Sequence, residues 1–152
     1  MQLVNYHQPS LNCTMLGIVR AAADYYGLNA STPALYGASG HAFFMNIHKE
    51  LCPSGPYCWT MGPFLAQLAV IGLVMTDLGF FGSDSTPTQR AAVEAQLKRA
   101  LDAGIPCSLL NMENQCISGY DETGFITAQP WPGLDFPPAH LTYGSWSELG
   151  GE

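Results

Sequence analysis

The order of the periodic patterns along this chain restricts its fold more than any other feature. Apolar residues recur at helical spacing after position 13, at Leu16, Val19, Ala23 and Tyr26. Three short apolar runs, separated by tight turns, then occupy residues 107–130. Helices that come first and strands that follow them indicate an α+β protein whose strands form an antiparallel meander.

End signals locate the predicted helices. Asn12 is a suitable N-cap for the first helix, and Gly27 ends that helix at its C′ position. Thr32 is the predicted N-cap of a short second helix, and Thr86 opens a capping box. The further helices are expected over residues 31–37, 62–72 and 86–103.

The predicted strands are shorter and depend on their turns. Asp121 to Gly124 is a typical hairpin turn, and the proline-rich residues 131–140 indicate an irregular excursion. Residues 52–59 read as a turn-rich loop. Strands are expected over residues 41–49, 73–81, 107–112, 115–121, 124–130 and 141–149, with residues 2–7 as a lead-in or edge strand.

Composition excludes several functions. Charged residues make up only 11% of the 152 residues, so the surface is poorly charged or is partly covered by a partner, such as a second copy in a homodimer. The five basic residues form no cluster apart from Lys98 and Arg99, which excludes nucleic-acid binding because it requires clustered positive charge. No apolar stretch approaches 18 residues, so no membrane span is expected.

The cysteines and the N-terminus predict a compartment. No basic and apolar leader precedes residue 13, and the five cysteines are odd in number and irregularly spaced, which predicts reduced thiols in a cytoplasm. The sequence has no CxxC motif and its histidines are scattered, so neither a metal site nor a cofactor is expected. We expect a single domain over residues 1–152, or the N-terminal part of a longer protein.

Cys13 is the main candidate for chemistry. It lies where a polar loop becomes a helix, and helix N-termini stabilise thiolates through unpaired N–H groups and a partial positive charge. The alternative is a small buried residue without a chemical role. Gln8, five residues earlier, is a candidate hydrogen-bond donor to a developing oxyanion, or a surface glutamine.

A thiol nucleophile normally needs an imidazole partner. His41 is the preferred candidate because the small residues 37–40 precede it and allow a ligand to come close. The alternative for His41 is a histidine bonded to a backbone carbonyl. His48 and His140 are weaker candidates.

Three motifs resemble the papain-like thiol enzymes. Residues 12–31 are similar to the nucleophile helix of bacterial members, and residues 36–47 resemble a glycine-rich segment of the butirosin biosynthesis protein H N-terminal domain family. Residues 116–131 resemble a hairpin shared by that family and the bacteriocin-leader peptidases. The resemblance implies a papain-like fold, with the first helix packed on about five strands, and acyl chemistry through a thioester. It implies either aminoacyl transfer from a carrier protein or amide cleavage.

The chain departs from this pattern at the positions of the partner residues. Papain-like enzymes carry a histidine on the strand before the hairpin, where this chain has Glu113, and an Asp or Asn on the next strand, where it has Gln129. The resemblance makes Trp131 the candidate for the tryptophan that covers the active site, and core packing is the alternative. One interpretation is an acyltransferase or amidohydrolase that uses Cys13, Gln8 and His41. The alternative is an inactive papain-like domain that binds a peptide or small amine through Glu113, Gln129 and Trp131, and a third is a structural part of a larger protein.

Overall fold

The structure, a computed structural model, describes residues 1–43, 49–50, 61–111 and 113–149. The chain divides into two compact units, one made of Met1–Gly27 with Asp77–Glu152 and the other of Leu28–Thr76. The described residues form an α+β protein, which confirms the predicted class. Its helices are α1 (Thr14–Tyr25), α2 (Thr32–Ala38), α3 (Met61–Leu68) and α4 (Pro87–Asp102), and its strands are β1 (Cys107–Leu110), β2 (Asn114–Tyr120), β3 (Gly124–Thr127) and β4 (His140–Thr142).

The sheet of the first unit is an antiparallel meander in the order β1-β2-β3-β4, as the sequence predicts. The turn between β2 and β3 is closed by Asp121, whose Oδ1 accepts the backbone N–H groups of Thr123 and Gly124. These bonds hold the pKa of the Asp121 carboxyl below its usual range. Gln2 forms an isolated bridge to Gly119 of β2, and the neighbouring Met1 and Leu3 form backbone hydrogen bonds to Tyr120 and Ser118, so the lead-in segment lies along the end of that strand.

Helix α1 lies against β2, the central strand. The side chains of Leu16 and Val19 on α1 and of Ile117 on β2 are fully buried, and each such side chain contributes about 1.5–3 kcal/mol by leaving water. The helix begins one residue later than the sequence indicates. Its N-cap is Cys13 rather than Asn12, because the Cys13 sulfur accepts the backbone N–H of Leu16.

Helix α4 begins with the predicted capping box at Thr86 and packs Leu97 and Leu101 into the core. Its buried Glu94 accepts the backbone N–H of Gly144 and the ring N–H of Trp146. These two hydrogen bonds hold the chain in a turn after β4. The strand predicted over residues 141–149 is therefore wrong beyond residue 142, and it gives way to a turn and a 3₁₀ helix at Ser147–Leu149.

Two of the predictions for the start of the second unit are wrong. Ser31, not Thr32, caps α2, because the Ser31 hydroxyl accepts the N–H of Ala34. The strand predicted over residues 41–49 begins instead as a 3₁₀ helix, His41–Phe43. It follows Gly40, whose φ of 77° turns the chain and whose carbonyl accepts the N–H of Phe43. Residues 44–48 of that prediction and the loop predicted over 52–59 lie outside the described residues.

The apolar helix predicted over residues 62–72 is present as α3 followed by a 3₁₀ turn, Ala69–Ile71. The strand predicted over residues 73–81 is wrong, because that segment joins no sheet. The Asp77 side chain accepts the N–H of Gly79, which lies at a φ of 131°, so a local turn replaces pairing with a neighbouring strand. In the part of the chain that the structure describes, no helix has the length and apolar character required to cross a membrane.

Replacing Gly124 with alanine should destabilise the first unit by about 1–3 kcal/mol, the range for overpacked sites. A Cβ at this position would lie 2.0 Å from the backbone oxygen of Leu141 on β4, which cannot move without breaking the β3–β4 pairing. Gly82→Ala is the control, because its nearest neighbour is the flexible side chain of Asp84 at 3.3 Å. Urea denaturation followed by circular dichroism compares the two variants, and equal midpoints would contradict the packing argument.

Candidate functional site

Cys13 is held at the start of α1 by the helix itself. Its sulfur lies 3.4 Å from the backbone nitrogen of Leu16 and accepts that N–H. Cys13 is buried, with 8% of its surface exposed. A sulfur in this position faces the unpaired N–H groups and the partial positive charge of the helix N-terminus.

The next residue, Thr14, connects the helix to β2. Its hydroxyl donates to Oε2 of Glu113 at 2.7 Å and accepts from the backbone nitrogen of Asn114 at 3.1 Å and from Asn114 Nδ2 at 3.4 Å. Thr14 is buried. Because residues 13 and 14 are adjacent, this hydroxyl brings the predicted site residue Glu113 to the first turn of the helix that Cys13 caps.

Glu113 and Asn114 provide hydrogen-bond acceptors at this point. None of the ion pairs among the described residues includes Glu113. Asn114 is buried, and its Oδ1 has no hydrogen-bond partner in the described part of the chain. The single proton of the Thr14 hydroxyl is donated to Glu113, so only Nδ2 of Asn114 can face that hydroxyl, and the orientation of the amide is fixed.

Gln8 binds β2 through both ends of its amide. Nε2 donates to the backbone oxygen of Asn114 at 2.8 Å, and Oε1 accepts the backbone N–H of Cys116 at 2.8 Å. The amide also lies against Gly17, one turn along α1 from Cys13, where an added Cβ would come within 3.3 Å of Nε2. One hydrogen of Nε2 is therefore used by the fold, and its predicted oxyanion role depends on the other.

Gln129 and Trp131 follow the end of β3. The Gln129 amide donates to the backbone oxygen of Pro137 and accepts the backbone N–H of Trp131, so it stabilises the proline-rich excursion predicted after residue 130. Gln8 and Gln129 line one cavity of about 270 Å³, together with His7 and Thr127. The structure thus brings together two predicted site residues, Gln8 and Gln129, at one small cavity, whose lining does not include Cys13, Glu113 or Trp131.

The histidines are distributed over the two units. His41 belongs to the second unit, where it packs edge-on against Tyr36, and burial lowers the pKa of its imidazole and favours the neutral form. Its predicted partnership with Cys13 stays a prediction. In the first unit, His140 lies on β4 beside Asp121, at 3.3 Å between Nε2 and Oδ2. His48 lies outside the described residues.

The remaining described cysteines are unsuited to nucleophilic chemistry. Cys107 and Cys116 are buried, and burial raises the pKa of their thiols to about 11 and about 12. Cys52 and Cys58 lie outside the described residues. Within those residues, no group of three or more potential ligands is arranged to hold a metal ion.

Sequence reasoning missed the two residues that organise the site. Thr14 stands out in the sequence only as the residue that follows Cys13, and Asn114 only as the residue after Glu113. Their hydrogen bond joins positions 100 residues apart. A short-range pattern does not contain such a contact, so only the fold reveals it.

Gln8→Ala should lower the free energy of unfolding by about 1–3 kcal/mol, because the Asn114 carbonyl and the Cys116 N–H would both lose their partner. The stability of Gln8→Glu should lie between those of the original protein and Gln8→Ala, because the carboxylate still accepts the Cys116 N–H but cannot donate to the Asn114 carbonyl. The exposed neighbour His7 is the matched control, and His7→Ala should change stability by less than about 0.5 kcal/mol. Chemical denaturation of the three variants measures the order of their stabilities. A Gln8→Ala protein as stable as His7→Ala would show that the hydrogen bonds of Gln8 to Asn114 and Cys116 do not stabilise the fold.

Comparisons with protein-family models, with curated proteins and with solved structures found no match to this chain. The class, α+β with an antiparallel four-stranded sheet in the described residues, therefore rests on the structure itself. Function has to be argued from the geometry of the residues around Cys13.

Proposed function

We propose that this chain is a papain-like domain in which Cys13 is the nucleophile of a thioester-mediated acyl transfer or amide hydrolysis. The observation that carries the proposal is the hydrogen bond from the Leu16 N–H to the Cys13 sulfur at the N-terminus of α1. The order of the elements supports it, because a helix that begins at the cysteine packs against an antiparallel meander. The two glutamines that line one cavity support a binding cleft in the same unit.

In the proposed reaction, the thiolate of Cys13 attacks the carbonyl carbon of an amide or thioester. The electron pair of the carbonyl moves to its oxygen, which would be stabilised by the Cys13 backbone N–H and by the remaining hydrogen of Gln8 Nε2. Collapse of this intermediate releases an amine or a thiol, such as that of a carrier protein, and leaves an acyl group on the sulfur. Transfer to an amine or to water then restores the thiol. His41 is proposed to take and return the proton.

A second candidate is a papain-like domain without catalysis that binds a peptide or small amine. It is supported by the hydrogen bond from the Thr14 hydroxyl to Glu113, the residue that the resemblance would put in place of the imidazole. A carboxyl group with an ordinary pKa of about 4.3 is a poor base for a thiol but a good acceptor for an ammonium or amide N–H. In this alternative Gln129 and Trp131 complete the ligand contacts.

Alkylation separates the two candidates. A free cysteine thiol, with a pKa of about 8.5, is only about 0.3% ionised at pH 6. If the helix terminus prepares Cys13 as a nucleophile, iodoacetamide at pH 6 should modify it at least about tenfold faster than free cysteine. Trypsin releases residues 1–20 as one peptide that contains no other cysteine, so mass spectrometry of that peptide gives the rate at Cys13.

The other cysteines provide the internal control. Cys107 and Cys116 should stay unmodified in the folded protein, because burial raises their thiol pKa values to about 11 and about 12. Cys13→Ser should abolish labelling of the first peptide and leave the rest of the map unchanged. A rate at Cys13 equal to or below that of free cysteine would exclude the catalytic proposal and leave the binding domain.

A further inference from the structure

We propose that Thr14 is a positioning residue that fixes the Glu113 carboxylate beside Cys13 and so makes this site selective for cationic over anionic reaction partners. The inference rests on the proposed function, because it takes the Cys13 thiol as the reactive group. It adds a residue with a defined task and a charge class for the substrate.

The hydrogen bonds of Thr14 leave its hydroxyl no freedom. A hydroxyl has one proton and two acceptor positions. The proton is donated to Glu113 Oε2, and the acceptor positions are filled by the backbone nitrogen and the Nδ2 of Asn114. Rotation of the hydroxyl would leave a group without a partner at a site that is 2% exposed, which is costly. The position of the carboxylate is therefore set by the fold.

The fixed carboxylate keeps its charge available to a ligand. Among the described residues Glu113 forms no ion pair, and the charged side chains of Arg20 and Asp24 on α1 pair with each other. Only Oε2 of Glu113 is bound to Thr14, so Oε1 retains its capacity to accept. The buried Oδ1 of Asn114, which has no partner in the same described residues, is a further acceptor beside the hydroxyl.

The charge lies close enough to act on what approaches the thiol. Thr14 directly follows Cys13, and consecutive Cα atoms are about 3.8 Å apart. The carboxylate accepts the hydroxyl of the residue next to Cys13 at 2.7 Å, and from this we infer that its charge lies within roughly the screening length of about 8 Å from the sulfur. A cation that approaches Cys13 is attracted by Glu113, and an anion is repelled.

Two thiol reagents of opposite charge measure this selectivity. In 2-aminoethyl and 2-sulfonatoethyl methanethiosulfonate, the thiolate attacks the sulfur that carries the charged chain, a mixed disulfide forms, and methanesulfinate leaves. Both reagents need the same thiolate, so the ratio of their rates, cationic over anionic and normalised to free cysteine, cancels the ionisation of Cys13. The tryptic peptide of residues 1–20 reports modification at this residue alone.

At low ionic strength we expect the ratio to fall about sixfold in Glu113→Gln, because a unit charge roughly 8 Å away in water changes each rate about 2.4-fold, in opposite directions for the two reagents. In Thr14→Val the rate ratio should decrease strongly, because the carboxylate is no longer held by a hydroxyl. In Thr14→Ser the rate ratio should be unchanged, because serine provides the same hydroxyl. Glu122→Gln removes the same charge at the exposed hairpin and should leave the ratio within twofold. Thr14→Ala provides a second deletion of the hydroxyl should the valine variant not fold.

The outcomes that overturn the inference are distinct. A purely structural role for Thr14 would change both rates together and leave the ratio intact. A ratio that Glu113→Gln leaves within twofold of the original would remove the charge selectivity, while fast alkylation of Cys13 would still support the proposed function. Failure of both reagents to modify Cys13 in the folded protein would overturn both proposals.

Discussion

The contact on which the candidate site depends is the hydroxyl of Thr14 between α1 and β2. It joins the first turn of the helix to residues that lie 99 and 100 positions further along the chain. The helix fixes Cys13 through its own backbone, and Glu113 directly precedes the first residue of β2. Without this hydroxyl the two would be ordered separately, each within its own element. The site is therefore a property of how α1 is joined to β2, more than of either element.

The same region shows how side chains take the place of a strand. Pairing between β2 and β3 begins at Ile117 and Thr127, and of the preceding residues of β2 Cys116 accepts the backbone N–H of Ala128 through its carbonyl. Thr14 accepts the N–H of Asn114, and Gln8 binds the Asn114 carbonyl and the Cys116 N–H. The start of the central strand is thus completed by the loop and helix that carry the candidate nucleophile. Gln8 therefore has a structural role in addition to its proposed catalytic one.

Local signals predicted those elements that local interactions determine. The capping box at Thr86 and the turn at Asp121 depend on bonds within four residues, and both are present. The strand predicted over residues 73–81 failed because a strand requires a partner, and the pattern of apolar residues cannot supply one. The N-cap of α1 was misplaced by one residue because cysteine is rarely considered a cap, although its sulfur can accept a hydrogen bond.

For the site, the sequence indicated the residue types but not the connection between them. Cys13, Gln8 and Glu113 stood out through their positions relative to a helix start and a hairpin. The structure brings Gln8 and Glu113 to the start of β2, next to the helix that Cys13 caps. Thr14 and Asn114 gave no signal, because their importance lies in one hydroxyl that satisfies three groups at once.

Two charges of opposite sign, the partial charge of the helix terminus and the charge of Glu113, act near Cys13. Together they determine which chemistry the site can support. The helix terminus contributes about half a positive charge, which favours a thiolate. Glu113 contributes a full negative charge, which disfavours a thiolate and favours a bound cation. A carboxylate cannot replace an imidazole as the base, because the gap of about four pKa units between an ordinary glutamate and a thiol corresponds to about 6 kcal/mol. Glu113 is therefore suited to recognise charge and not to accept the proton of a thiol. A site of this kind would separate activation of the sulfur from recognition of the partner that reacts with it.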